Sequence, residues 1–167
     1  MIRFVIALAF GLTLGSAALP GAAQADAAQV EVRLSPELKA RAQETYGLDE
    51  VERLAETLRR DVERELDLTG VMAGGRVELV LTDAKPSRPT LRELATRPGL
   101  SFRSFAIGGA AIEGRTVTFD GKTMPISYSW YASDITDSRR QSVWGDAEWM
   151  FQRFAHRLSR GELYALR

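Results

Sequence analysis

The chain has no cysteine, no asparagine and a single histidine, His156. Without thiols there is no disulfide, no thiolate zinc centre and no cysteine to carry a lipid. One imidazole leaves zinc short of its usual ligands. It also forces any Ser-His-Asp arrangement to use His156 as base, and no Gly-x-Ser-x-Gly nucleophile elbow is present to go with it. A helix-end histidine favoured by the helix dipole is the simpler reading. Charge of one sign is missing too: 22 basic residues face 22 acidic ones, which provides no electrostatic footprint for nucleic acid. Beyond the first 25 residues, no apolar run approaches the roughly 20 needed to span a bilayer. Residues 109–116, GAAIEGRT, imitate a phosphate-binding loop with Arg115 in the lysine place. Such a loop must open a helix, whereas Thr116, Val117, Thr118 and Phe119 continue as strand. No cofactor and no metal are expected.

What is present begins with a secretory signal. Arg3 supplies the positive start, residues 4–14 an apolar run of eleven, and residues 15–25 a small-residue stretch ending in Ala23-Gln24-Ala25. Cleavage is expected between Ala25 and Asp26. Of the 22 basic residues 19 are arginine, a composition typical of a GC-rich bacterial gene, so the expected destination is the periplasm or the medium. Removal of the signal leaves 142 residues with a net charge of −1. That length suits one soluble domain, 26–167, able to bury a core without staples.

Residues 30–34 alternate apolar and charged as a half-buried strand does. Ser35-Pro36 then marks a helix start, and Gly47 its stop. Asp49 with Glu52 suggests a capping box opening a long helix. Val51, Leu54, Ala55, Leu58, Val62 and Leu66 form its apolar stripe, with Asp49–Arg53 and Glu56–Arg60 as i,i+4 pairs. Residues 76–82 read as a central strand. Thr90-Leu91-Arg92-Glu93 matches a second capping box. Residues 102–119 read as a strand broken at Gly108-Gly109, where a bulge or a close backbone approach is expected. Asp120-Gly121 signals a hairpin into a return strand from Thr123 to Ala132, with Pro125 at its start or on an edge. Ala147, Met150, Phe151, Phe154, Ala155 and Leu158 stripe a last helix. The order is β-α-α-β-β-β-α. It implies an α+β fold with an antiparallel sheet of about four strands and amphipathic helices packed on one face.

Two surface features carry candidate function. Trp130 and Tyr131 must point to opposite sheet faces. Trp130 joins Ile126 and Tyr128 toward the helices, and Tyr131 faces away, a binding position expected near Arg103 and Asp134. Alternatively Asp134, Asp137 and Asp146 meet, and a carboxylate pair runs acid–base chemistry without histidine. Their spacing does not fit a calcium loop.

The runs LVLTDA (79–84), Arg88-Pro89-Thr90, Pro98-Gly99-Leu100 and SFAIGGA (104–110) resemble uncharacterised exported proteobacterial proteins. So do Trp130-Tyr131, Asp134, Trp144, Asp146-Ala147 and Phe154-Ala155. The resemblance, over about residues 75–160, implies a location and a domain type and no catalytic residue. The expectation is therefore a non-enzymatic periplasmic domain that binds an envelope protein or glycan through one sheet face or the polar loop from Ser133 to Val143, in an oligomeric state that sequence leaves open. The alternatives are a carboxylate-dependent hydrolase or glycan-processing enzyme, and a purely structural envelope protein.

Overall fold

The computed structural model of the protein describes residues 27–136 and 142–164. The expected signal with its Ala25–Asp26 junction lies outside the described residues, as does Asp137 with the rest of residues 137–141. The fold is α+β: a four-stranded sheet in the order β1 (Gln29–Leu34), β2 (Arg76–Lys85), β3 (Gly109–Val117), β4 (Thr123–Tyr131). Helices α1 (Pro36–Arg41), continued by a π-helical turn (Ala42–Tyr46), and α2 (Leu48–Thr69) join β1 to β2. Helix α3 (Leu91–Thr96) lies between β2 and β3, and α4 (Gly145–Ser159) follows β4.

The sheet is mixed, which corrects the expectation of an antiparallel one. β1 pairs with β2 in parallel, Val30 opposite Val77 and Leu34 opposite Leu81. Two helices separate these strands, enough chain to cross back and start β2 at the same end as β1, whereas a tight turn forces the antiparallel β3–β4 pair. The crossover places α2 over β1 and α4 over β3 and β4, with the two helices packed on each other. The expected stripes of both helices are buried here, Leu58, Val62, Met150, Phe151 and Phe154 completely. Tyr128 meets the Phe154 ring at 5.7 Å and Trp130 meets Trp149 at 4.4 Å, so the helix-facing side of β4 is as expected. Pro125 sits on an edge strand, where its missing N–H costs no ladder bond.

Caps explain the helix limits. Ser35 Oγ accepts from Leu38 N–H at 3.1 Å with Pro36 in the first turn. The Thr90–Glu93 capping box forms in both directions. The Asp49–Glu52 box does not: α2 is capped two residues earlier, by Gly47 at φ +97°, so Asp49 is already inside the first turn. The Glu56 carboxylate is taken by Arg59, which also holds Glu63, in place of the expected Arg60.

One polar side chain interrupts the α2 stripe. Asp61 is buried, its Oδ1 paired with Arg64 at 2.8 Å and its Oδ2 without a hydrogen-bond partner. Burial pushes its carboxyl above the ordinary aspartate value, against the opposing pull of Arg64. A raised native pKa means that the folded state keeps the proton to higher pH than the unfolded chain does. The stability contribution is full below the ordinary aspartate pKa and falls as pH rises through the raised one. Asp61→Ala should therefore raise stability at pH 7 by about 1 kcal/mol, a gain that vanishes below roughly pH 4. Thermal melts at the two pH values check this. A lower melting temperature for the variant at pH 7 would refute it.

Candidate functional site

The C-terminal end of β2 and the strand ends beside it form the candidate site. Along β2 the register shifts between Leu81 and Asp83. This bulge admits Thr82 as an extra residue, its hydroxyl donating to the Ala111 carbonyl at 3.1 Å. Asp83 is thereby turned off the buried core face while Ala84 returns to it. Gly109 lies opposite both Lys85 and Tyr131. With no side chain on the middle strand, Lys85 reaches across it and its Nζ lies 5.0 Å from the centre of the Tyr131 ring.

Asp83 is gripped from two sides. Tyr131 donates its hydroxyl to Oδ2 at 2.5 Å, and Arg41, at the end of α1, meets Oδ1 at 2.6 Å. Burial raises the Tyr131 phenol above its ordinary pKa, and the hydrogen bond and charge of Asp83 raise it further, against Arg41. A phenol so held is a donor at neutral pH and not a base. Oδ2 accepts the phenol hydrogen bond and Oδ1 is held by the charge of Arg41 without a hydrogen bond, so the group works as a latch joining α1, β2 and β4. Nearby, Tyr46 is set edge-on against Trp144 at 5.7 Å, its phenol also raised by burial.

From this end the chain leaves the sheet for residues 86–108, which return to β3. Both ends of that segment are fastened to the start of α4. Ser87 N–H donates to the Val143 carbonyl at 2.7 Å, and its Oγ accepts from Asp146 N–H at 3.1 Å. The Asp146 carboxylate accepts from Gly108 N–H at 2.9 Å. Between the fastenings, Leu100, Phe102, Phe105 and Ile107 are exposed, Phe102 to 71%. Arg88 donates to the Phe102 carbonyl at 3.1 Å and lies 5.0 Å from the Phe105 ring centre. A hollow of about 260 Å³ lies against the segment, walled by Tyr46, Pro86, Pro89 and Phe105 and edged by Lys85, Arg88 and Arg97.

The three expected binding residues fall in different settings. Tyr131 is half-buried in the latch. Arg103 is exposed in a turn, its backbone N–H donating to Ser101 Oγ at 3.2 Å. Asp134 is exposed and accepts from Thr136 N–H at 2.6 Å. Of the carboxylates considered for chemistry, Asp146 is fully buried and bonded to Gly108, whereas Asp134 faces solvent. Among the described residues, no group of three or more His, Asp or Glu side chains is placed to hold a metal ion. His156 is 60% exposed on α4, with Nδ1 3.6 Å from Glu65.

Sequence reasoning missed Asp83, Arg41 and Lys85 because it ended β2 at Thr82. The bulge puts two consecutive residues off the core and breaks the period-two pattern at that point. No helix among the described residues is long and apolar enough to cross a membrane. No protein-family model matches the chain, and no curated protein matches it.

Proposed function

We propose that the protein is exported to the periplasm and binds a component of the cell envelope without chemically transforming it. One contrast supports this reading. Tyr131, Asp83 and Asp146, the side chains best suited to chemistry, are spent on holding backbone segments in place. Beside them, one short segment leaves Leu100, Phe102, Phe105 and Ile107 to water. Apolar groups concentrated in this way on a soluble surface mark a place of contact.

The test is fractionation and sedimentation of the tagged full chain produced in a Gram-negative host. Osmotic-shock fluid should contain a chain whose intact mass begins at Asp26. That chain should sediment with washed envelopes. A Phe102→Ser/Phe105→Ser variant should lose at least about tenfold in envelope affinity, since two phenyl groups no longer leave water. An uncleaved chain confined to the cytoplasm, or undiminished sedimentation of the double variant, would overturn the proposal.

A further inference from the structure

We infer that residues 85–107 dock on an anionic lipid surface, an inference that rests on the envelope-binding reading and names the partner's chemistry. The charge of the chain is balanced overall but not evenly distributed along the sequence. Residues 85–107 hold Lys85, Arg88, Arg92, Arg97 and Arg103 against a single acid, Glu93. The remainder is left with 17 basic and 21 acidic residues. Glu93 is moreover committed to the cap of α3 and to Arg97 at 3.1 Å. A positive segment on a body of opposite sign orients that segment toward a negative surface.

Apolar exposure coincides with that charge. Of the eight large hydrophobic side chains exposed among the described residues, five lie between 91 and 107. Phenyl and leucyl groups between basic residues suit the boundary of headgroups and acyl chains, where the rings enter and the cations stay at phosphate depth. The open face of the sheet offers nothing comparable, since Arg33 pairs with Glu31 at 2.7 Å and Arg115 with Glu78 at 2.7 Å.

A bilayer fits better than a peptide or a small molecule for two reasons. Of two hollows against the segment, the one walled by Phe105 holds about 260 Å³, below the roughly 300–1,000 Å³ of ordinary ligand pockets. The other, about 360 Å³ at Leu91, is rimmed by Glu50 and Glu148 and lies apart from Phe102, Phe105 and Ile107 in its lining. Phe102, the most exposed ring of the segment, is 71% accessible and stands out from the surface. The fastenings of Ser87 and Gly108 to α4 present the segment as a fixed platform, which lowers the ordering cost of docking.

Vesicle co-sedimentation of the mature chain tests this. Vesicles of phosphatidylcholine alone are compared with vesicles containing about 30% phosphatidylglycerol, near the charge of an anionic leaflet. Binding should occur only to the second kind and fall as salt is raised from about 50 to about 500 mM. Arg103→Gln should weaken it about fivefold, the effect of one cation near such a surface. Phe102→Ser should weaken it at least about tenfold. Phe119→Ser, at an 85% exposed ring on the β3–β4 turn, should bind as the parent does, and circular dichroism shows that each variant is folded. Equal binding to both vesicle types, or Phe102→Ser equal to the parent, overturns the inference. Sedimentation with washed envelopes but not with phosphatidylglycerol vesicles also overturns it, in favour of a protein or glycan partner, and leaves the envelope-binding reading standing. Failure with both removes both.

Discussion

Gly109→Ala is expected to cost about 4 kcal/mol of stability, the sum of a strained backbone and an overpacked contact. A Cβ at this position would lie 2.3 Å from the Trp130 carbonyl oxygen and 2.6 Å from the Tyr131 Cα, and Gly109 has φ +150°. Both obstacles are backbone of the partner strand, so relief requires pulling β4 off β3 where Lys85, Gly109 and Tyr131 are in register. Domains of this size have only about 5–15 kcal/mol in total, and a loss near 4 would lower the melting temperature by roughly 8–16 °C. Gly121→Ala is the control. Its φ is +81°, with nothing within 4 Å of the added carbon, so it should lose only about 1 kcal/mol. Urea unfolding of the two variants decides the matter. If Gly109→Ala falls within about 1 kcal/mol of the parent, the close approach is not rigid and the account of this sheet corner is wrong.

Gly108-Gly109 shows how far the sequence could be read. The pair suggests a bulge or a close backbone approach, and Gly109 makes the second against β4, while Gly108 is crowded by side chains, a Cβ there coming within 2.7 Å of the Asp146 carboxylate. The bulge lies in β2 instead. The pair's place in the chain was misjudged. The strand begins at Gly109, and residues 101–108 form a loop, because Phe105 and Ile107 have strand-like spacing without a sheet to cover them. Helix stripes were legible because period 3.6 is imposed by burial of one side of the helix. The faces of Trp130 and Tyr131 were legible for the same reason with period two. The parallel β1–β2 pair was not, since strand direction depends on where the intervening helices return the chain, and local pattern does not encode that. Least visible was the latch, whose members Arg41, Asp83 and Tyr131 are joined only through a bulge and a helix end. Exposed hydrophobics at 100–107 were in plain view as residues, but only their accessibility separates a surface patch from a core strand.

Asp83→Ala is expected to cost about 2–4 kcal/mol, because it removes one charge-assisted contact and one hydrogen bond together. Arg41 Nε is already buried without a hydrogen-bond partner. Loss of Asp83 would leave its guanidinium with no counter-charge at 2.6 Å and the Tyr131 hydroxyl with no acceptor at 2.5 Å. Tyr131→Phe removes only the second contact and should cost about 1–2 kcal/mol. The two losses share a partner and so cannot add. The double variant should be little worse than Asp83→Ala alone, with a coupling of about 1 kcal/mol or more from urea unfolding of the full cycle. Strict additivity would mean that Tyr131 and Asp83 do not interact in solution. The latch also holds the last turn of β2, from which Lys85 and residues 86–108 depart. Loosening it should therefore speed amide exchange in that segment before the α2–α4 core, where opening requires separating fully buried side chains such as Leu58 and Phe154.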